Sequence, residues 1–471
     1  MNKALIAGTL LLFLNIPAWN QQNNSAPLKF SLSQAQDYAV TNSYTTRNSK
    51  LDLESARKKV LETTAIGLPQ FTIGANYQHL FNIPTFSIPT TGITQSKLTG
   101  TTITDLEQKG IITQVPVFGG DASQYYVKTP GIPLGSPNNT TFNFTLSELI
   151  FSGEYIVGLQ ASRTFKQLSE QAYAKTTLTT KEQVADSYFL LLILRENFSI
   201  LSDNLKNMNS TLSDITRMKE KGFVEQTDVD QIGITVKNLE TTLNSLKGQI
   251  DVTGKLLKFQ MGIDFEQPIE LTDSLAGIIS QTNTMLFAGA QFNVDNSIDY
   301  QLMKTNEGLS ALSLKREKSK YLPTFSAFYQ HQEQSNPAAF NFMMKDVLGV
   351  TMSFPIFTSG SRIAKVSQAK MDLEKNRNNL DLTRQSLIMD FEKSKNDYLT
   401  SWANSNTNKQ SYELAKRVYE KTLIKYKQGM ASSLDLTQSN TQLLTAESNY
   451  YTSLLNLLNA KSKLERILSD N

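Results

Sequence analysis

The sequence predicts a mostly α-helical protein with a transmembrane β-barrel, built as a tandem duplication of a strand hairpin and long coiled-coil helices. Three observations carry this prediction. Two regions of more than sixty residues, 159–221 and 361–428, contain neither Gly nor Pro. Four other segments alternate apolar and polar residues. The glycines Gly222 and Gly429, each followed six residues later by an aspartate, lie 207 residues apart.

The two regions without Gly or Pro are predicted to be helices of roughly 100 Å, at about 1.5 Å per residue. Their apolar residues recur in steps of four and three, the spacing of a coiled coil. The pattern comprises Leu201, Leu205, Met208, Leu212 and Ile215, and near the C-terminus Leu443, Ala446, Tyr450, Ser453, Leu457, Ala460, Leu464 and Ile467. Each region therefore forms a helix much longer than a globular domain needs.

Each long helix is predicted to end at a tip glycine. Gly222 and Gly429 follow the basic stretches RMKEKG and KYKQG, which suit a helix C-terminus and its glycine stop. Because apolar periodicity resumes beyond both glycines, each tip is the turn of a helical hairpin.

Strand-like alternation occurs in LPQFTIGANYQH (68–79), TFNFTLSELIFSG (141–153), LPTFSAFYQH (322–331) and LGVTMSFPIFTSG (348–360). Successive side chains of a strand point to opposite faces. In the first segment the apolar face comprises Phe71, Ile73, Ala75 and Tyr77, and the polar face Thr72, Gly74, Asn76 and Gln78. The ends of the second and fourth segments are again 207 residues apart, at Gly153 and Gly360.

The domain organisation follows from these repeats. A short apolar run after one lysine predicts a secretory signal peptide at 1–20, with an uncleaved anchor as the alternative. The first repeat is 21–261, with a strand hairpin at 68–153 interrupted by a long surface loop at 80–139, and a tip near 222. A linker or equatorial segment occupies 262–293. The second repeat is 294–471, with a strand hairpin at 322–360 and a tip near 429.

Composition excludes several function classes. The 46 basic and 43 acidic residues nearly balance, so no basic surface for nucleic acid is predicted. The absence of Cys excludes disulfides, thiolate metal sites, a cysteine nucleophile and a lipidated N-terminal cysteine. With only two His, no catalytic or zinc constellation is predicted, and no cofactor or metal is expected.

Four strands of about ten residues have the length of tilted membrane strands but cannot close a barrel alone. Because an open sheet edge in lipid leaves backbone groups unpaired, oligomerisation has to close it. Two copies supply eight strands and three supply twelve, which leaves room for a pore. The alternative is a soluble antiparallel sheet that packs on helices.

The ordered combination of LP-x-F strand starts, the strand ends IFSG and IFTSG, and G-x5-D tips resembles the TolC-like outer-membrane efflux family. The resemblance extends from about residue 28 to the end. It implies a homotrimer with a twelve-stranded barrel in outer-membrane lipid and a twelve-helix tunnel in the periplasm. Such proteins are passive exit ducts that dock a periplasmic adaptor and an inner-membrane pump, for efflux or type I-like secretion.

The resemblance also implies a periplasmic gate at the tips. Thr227 and Asp228 match a pair that is locked to a tyrosine at the place of Tyr426, whereas Ala431 replaces an arginine of that lock. Asp435 matches the first of two aspartate rings, and Gln438 replaces the second. One ring attracts cations less than two do.

From the residues alone, other roles stay open. Asp228 and Asp435 suit helix caps, because acidic groups are favoured at a helix N-terminus. Tyr426 suits ordinary packing between helices. His79 and His331, at matching strand ends, suit the membrane–water boundary better than a metal pair.

Three other function classes compete with the channel. A periplasmic coiled-coil adaptor without a pore is the alternative; adaptors usually have one helical hairpin flanked by soluble β-domains. A surface adhesin or scaffold does not need a duplication with returning helices. An enzyme is disfavoured because no catalytic cluster is found.

Overall fold

The structure, a computed structural model, describes residues 26–86, 90–94, 108, 112–115, 124–127, 132–280, 289–337 and 343–468. The predicted signal peptide at 1–20 lies outside these residues, as does much of the predicted loop at 80–139. Contacts divide the chain into two compact units. The first unit comprises the described residues of Met1–Leu53, Ser169–Met303 and Leu380–Asn471, and the second those of Glu54–Leu168 and Lys304–Asn379.

Helices dominate the described residues. In chain order they are α1 (Leu32–Asn42), α2 (Tyr44–Ala65), α3 (Gly153–Glu220), α4 (Gln226–Met261), α5 (Leu275–Ser280), α6 (Ile298–Ser319), α7 (Ser361–Lys427) and α8 (Ser433–Leu468), with a 3₁₀ turn at Val294–Asn296. The two regions without Gly or Pro lie in α3 and α7, which are unbroken helices of 68 and 67 residues. In the described part of the chain, no helix combines sufficient length with a sufficiently apolar composition to span a membrane.

The strands in chain order are β1 (Leu28–Phe30), β2 (Gln70–His79), β3 (Thr85–Phe86), β4 (Thr90–Thr94), β5 (Ile112–Val115), β6 (Gln124–Val127), β7 (Ile132–Pro133), β8 (Asn138–Phe151), β9 (Ile269–Leu271), β10 (Thr324–Gln334) and β11 (Asp346–Ser353). The segment predicted as a loop at 80–139 contains β3 to β7, which form two small antiparallel sheets. The sequence pattern predicted a loop at 80–139 and no strands.

The core of the first unit follows the predicted coiled-coil positions. Leu201, Met208 and Ile215 on α3 are buried, and so are Leu443 and Leu457 on α8. Side chains of α4 and α7 complete the apolar cluster around Leu201, Met208, Ile215 and Leu443, whereas Leu457 belongs to a second cluster with side chains of α7. Helical stability of this kind comes mainly from packing an apolar face.

The segment at 262–293 contributes to the core of the first unit. Its strand β9 pairs in parallel with β1, and Ile263, Leu275 and Ile278 are buried. Gly262 begins the segment with φ 72°, the left-handed conformation that ends α4. Because the composition of 262–293 is polar, a linker was predicted there and not a part of the core.

The second unit contains a four-stranded antiparallel sheet in the order β11-β10-β8-β2. The central pair, β8 and β10, joins the two repeats. The register opposes apolar residues, such as Ile73 to Phe144 and Phe71 to Leu146, and polar residues, such as Thr72 to Thr145. The sheet therefore has one mainly apolar and one mainly polar face, as the alternation predicted, with Phe328 opposite Ser147 and Glu148 opposite Ala327 as exceptions.

The strand β11 is shorter than the alternation predicted. It ends at Ser353, whereas the strand-like segment in the sequence continues to Gly360. Pro355 lacks the backbone N–H that a ladder requires, which explains the end of pairing.

Candidate functional site

The two tips have the same backbone geometry. Gly222 and Gly429 have φ of 79° and 75°, in the left-handed region that favours glycine. The amide that follows each glycine donates to the carbonyl five residues earlier, at 3.0 Å in the first tip and 2.8 Å in the second. This is the Schellman arrangement, which satisfies carbonyls at the end of a helix. The predicted tips are therefore five-residue turns, from 221 to 225 and from 428 to 432.

A side-chain junction links the two tips. The Ser433 hydroxyl contacts the Asp228 carboxylate and lies 2.8 Å from Gln231 Oε1. Ser433 is the first residue of α8 and is buried, whereas Asp228 and Gln231 lie in the first turns of α4. A bond from a hydroxyl to a carboxylate is stronger than a neutral hydrogen bond, and more so away from water.

Both predicted aspartates also cap their helices. The backbone N–H of Ser432 donates to Asp435 Oδ2 at 3.0 Å, and the Asp435 N–H donates to Ser432 Oγ at 3.1 Å. These bonds from Ser432 hold the pKa of the exposed Asp435 carboxyl below its ordinary value. On α4, the Glu225 N–H donates to Asp228 Oδ2 at 3.3 Å. Capping of both helices is therefore present.

Tyr426 lies near the junction. Its ring is half-buried and packs with the apolar cluster between α3, α4, α7 and α8. Burial, together with a smaller effect of the negative charge of Asp228, raises the pKa of the Tyr426 phenol to about 12. The predicted interhelical packing is thus observed, and Asp228 is close enough for its charge to act on the phenol.

The remaining predicted residues lie outside the junction. Thr227 is exposed, and its hydroxyl donates to Glu225 Oε2 at 3.3 Å. Gln438 is exposed on the first turns of α8, and Ala431, in the second tip, is half-exposed. In one copy of the chain, the structure therefore brings Asp228 and Ser433 together and places Tyr426 within range of the Asp228 charge, whereas Thr227 and Gln438 are exposed.

Sequence reasoning missed a buried polar network further along the same helices. Asn204 on α3 donates to Asn440 Oδ1 on α8 at 2.9 Å, and the Tyr419 hydroxyl of α7 donates to Asn204 Oδ1 at 3.2 Å. Ser433 was missed as well, because nothing in its local sequence distinguishes it from a helix-starting serine. Polar side chains at coiled-coil core positions, such as Asn204, were the available signal.

Ser433→Ala is expected to destabilise the packing of the two tips against each other. The substitution removes the hydroxyl that contacts the Asp228 carboxylate. Losing a charge-assisted bond at a buried site costs about 1–2 kcal/mol. Backbone amides at 221–225 and 428–432 should therefore exchange with deuterium roughly five- to thirty-fold faster. Thr441→Ala, which removes an exposed hydroxyl bonded to its own helix, is the control. Equal exchange in both variants would show that the junction does not hold the tips.

The two histidines occupy equivalent places at strand ends. His79 Nδ1 and the Tyr77 hydroxyl both contact Asn138 Oδ1, at 2.8 and 2.9 Å. In the second repeat, the corresponding His and Tyr of β10 both contact Asp346 Oδ1, at 2.8 and 2.6 Å. Among the described residues, no group of three or more His, Cys, Asp or Glu is arranged to hold a metal ion. The duplicated contacts support a polar boundary at the sheet end.

Residues 313–469 match the family model described as outer membrane efflux protein. The predicted resemblance is thereby confirmed. The match covers the strand pair β10–β11, helices α7 and α8 and the second tip, so the similarity to outer membrane efflux proteins is carried by the second repeat. No curated protein sequence matches the chain.

Solved structures extend the similarity of fold to the first repeat. CusC superimposes with a TM-score of 0.69 at 12% identity, covering 94% of this chain and 92% of its own. VceC from Vibrio cholerae gives a TM-score of 0.66 at 14% identity, with coverages of 93% and 96%. The CmeC channel from Campylobacter jejuni gives 0.67 at 16% identity, with coverages of 99% and 93%. The chain thus shares the fold of these three proteins over nearly its whole length.

Proposed function

We propose that the protein is a passive exit channel in the outer membrane of a Gram-negative bacterium, exporting small molecules or proteins across it. The observation that carries the proposal is the sheet β11-β10-β8-β2, which has one mainly apolar and one mainly polar face. In a barrel the apolar face meets lipid and the polar face lines water. The outer-membrane efflux match and the channel named in the CmeC structure support this function.

Closure of the barrel requires further copies of the chain. Within the described residues, β2 and β11 each pair on one side only, so the sheet has two edges. Adjacent strands alternate in direction, and β2 of a neighbouring copy placed beside β11 continues that alternation. Three copies supply twelve strands, which leave room for a pore, whereas eight strands are filled by side chains. We therefore propose a homotrimer.

The helical hairpins are proposed to lie in the periplasm, with their tips toward the inner membrane. There they would meet a periplasmic adaptor protein and, through it, an inner-membrane pump that supplies energy. The support is the resemblance to the efflux family together with the duplicated tips. In this proposal the pump supplies the energy, and the duct itself acts by diffusion.

The tips are proposed to form the periplasmic gate, with Asp228, Thr227 and Tyr426 at the lock, and Asp435 and Gln438 at the constriction. Exposed Asp435 repeats around a threefold axis as a ring of carboxylates. Such a ring attracts cations and repels anions. The cap observed at Asp435 is compatible with this role, because only part of the carboxylate is engaged by Ser432.

Conductance in planar lipid bilayers tests the channel and the ring separately. The wild-type protein is expected to form discrete pores, and Asp435→Asn to lower their cation-over-anion preference about two-fold or more, because the amide retains the cap but not the charge. Asp381→Asn, at an exposed site on α7, is the charge-matched control. An unchanged preference would leave Asp435 as a helix cap. No conductance from folded, membrane-inserted protein would favour a bridging adaptor without a pore.

A further inference from the structure

A polar cavity lies in the first unit, between α3, α7 and α8. Its volume is about 240 Å³. It is lined by three carboxylates, one amide, one hydroxyl and one amine: Glu182, Asp186, Asp397, Asn459, Ser394 and Lys463. None of these residues takes part in the tips or in the strands. The cavity is therefore separate from the strands and from the residues of the proposed gate.

Three oxygen atoms that line this cavity are buried without a hydrogen-bond partner in the described structure: Asp186 Oδ1, Ser394 Oγ and Asn459 Oδ1. They come from three different helices. Ser394 is only 1% exposed, so its hydroxyl has no access to bulk solvent. Because buried polar atoms in proteins nearly always have a partner, three in one cavity indicate a bound species.

The charges around the cavity favour a cation. Lys463 Nζ lies 2.8 Å from Asp390 Oδ1, and Arg466 Nε lies 2.7 Å from Glu182 Oε2, so each of these cations already neutralises a carboxylate. In the described part of the chain, no Lys or Arg forms an ion pair with Asp186 or with Asp397. Asp397 is exposed to solvent, whereas Asp186 Oδ1 is buried, so Asp186 is the carboxylate that a bound cation would neutralise.

The burial of Asp186 Oδ1 without a partner supports the same conclusion. A carboxylate held among buried oxygen atoms is costly unless a positive charge accompanies it. The side chains supply only oxygen donors for such a charge.

The donor types and the size of the cavity select among cations. Carboxylate, amide and hydroxyl oxygens suit the hard cations Mg²⁺ and Ca²⁺. No three acidic side chains of the described residues converge as direct metal ligands, so an ion here keeps part of its water. A volume of 240 Å³ has room for several waters, at about 30 Å³ each. Mg²⁺ sites commonly combine one or two carboxylates with water.

We propose that this cavity binds one partly hydrated divalent cation, Mg²⁺ or Ca²⁺, through Asp186, Asn459 and Ser394. The ion connects α3, α7 and α8 and so stabilises the helical bundle. This role does not depend on whether the protein conducts.

Calorimetric titration of the full chain tests the site. The protein is purified in detergent, stripped with EDTA and titrated at pH 7.5 with CaCl₂, MgCl₂ or putrescine. We expect one divalent ion to bind per chain, with affinity at least ten-fold weaker in Asp186→Asn and several-fold weaker in Ser394→Ala. Asp381→Asn, which removes an exposed carboxylate on the same helix as Ser394, should bind as the wild type does.

Thermal unfolding provides a second readout. Calcium or magnesium should raise the unfolding midpoint of the wild type and of Asp381→Asn but not that of Asp186→Asn, because only a ligand of the folded state stabilises it. Absence of divalent binding would overturn the proposal, as would equal affinity in Asp186→Asn and wild type. Binding of putrescine without either metal would also overturn it, in favour of an organic ammonium.

Discussion

Gly262→Ala is expected to destabilise the first unit severely, and far more than the same replacement at a tip. Gly262 has φ 72°, and an added Cβ would lie 2.4 Å from the carbonyl oxygen of Asn42 and about 3 Å from the Cα of Ser43. Both neighbours are backbone atoms between α1 and α2, which cannot rotate away as a flexible side chain can. The backbone itself has to move.

The tip glycine Gly222 is a matched control. Its φ is 79°, and an added Cβ there meets nothing within 4 Å. Both variants therefore incur the cost of a left-handed alanine, about 1–2 kcal/mol, and both change the unfolded chain alike. The difference in free energy of unfolding between the two variants therefore measures the clash at Gly262 alone. We expect this clash to destabilise Gly262→Ala by about 2–3 kcal/mol or more beyond Gly222→Ala.

Thermal unfolding followed by far-UV circular dichroism measures this difference in the detergent-purified protein. Gly262→Ala should unfold at a clearly lower temperature than Gly222→Ala, or fail to accumulate as folded protein. Gly222→Ala should remain folded, with an unfolding temperature only modestly below that of the wild type. Similar midpoints for the two variants would contradict the close approach of Gly262 to Asn42.

Glu447→Gln is expected to stabilise the protein at neutral and alkaline pH but not at acidic pH. Glu447 on α8 is only 2% exposed, and its Oε1 atom lacks a hydrogen-bond partner in the described structure. Burial raises the pKa of its carboxyl from 4.5 to about 7, although the positive charge of Lys416 partly opposes the rise. The folded protein thus favours the neutral carboxyl.

The sign of the pH dependence follows from proton binding. Between pH 4.5 and about 7 the folded state retains a proton on Glu447 that the unfolded state has lost. Stability therefore falls as the pH rises through this window, by about 3 kcal/mol in total, and the loss is constant above it. Below pH 4.5 both states are protonated, so the residue costs nothing.

Glutamine mimics the neutral carboxyl at every pH. The unfolding midpoint of Glu447→Gln should therefore exceed that of the wild type at pH 8 and equal it at pH 4. Glu392→Gln, an exposed position on α7, controls for the loss of one surface charge. A constant difference between Glu447→Gln and wild type across this range would show that Glu447 does not titrate between the two states.

Much of the architecture was predictable from the residues. The lack of Gly and Pro between 159 and 221 and between 361 and 428 permits long helices, and the left-handed preference of Gly222 and Gly429 ends them. The alternation of apolar and polar residues predicted the two faces of β2. The constant separation of 207 residues between equivalent glycines indicated the duplication. These features are local, because each depends on backbone preferences within a few residues or on a repeated pattern.

Tertiary structure alone decided the contacts between distant segments. The pairing of β8 with β10 joins the two repeats, and the Ser433 hydroxyl meets Asp228 across 205 positions. The crowding of Gly262 by Asn42 likewise depends on packing, as does the burial of Glu447. The sequence by itself determined which segments are helices, strands and turns, since those follow short-range sterics and periodicity. It did not determine which side chains meet, because that depends on how whole elements pack.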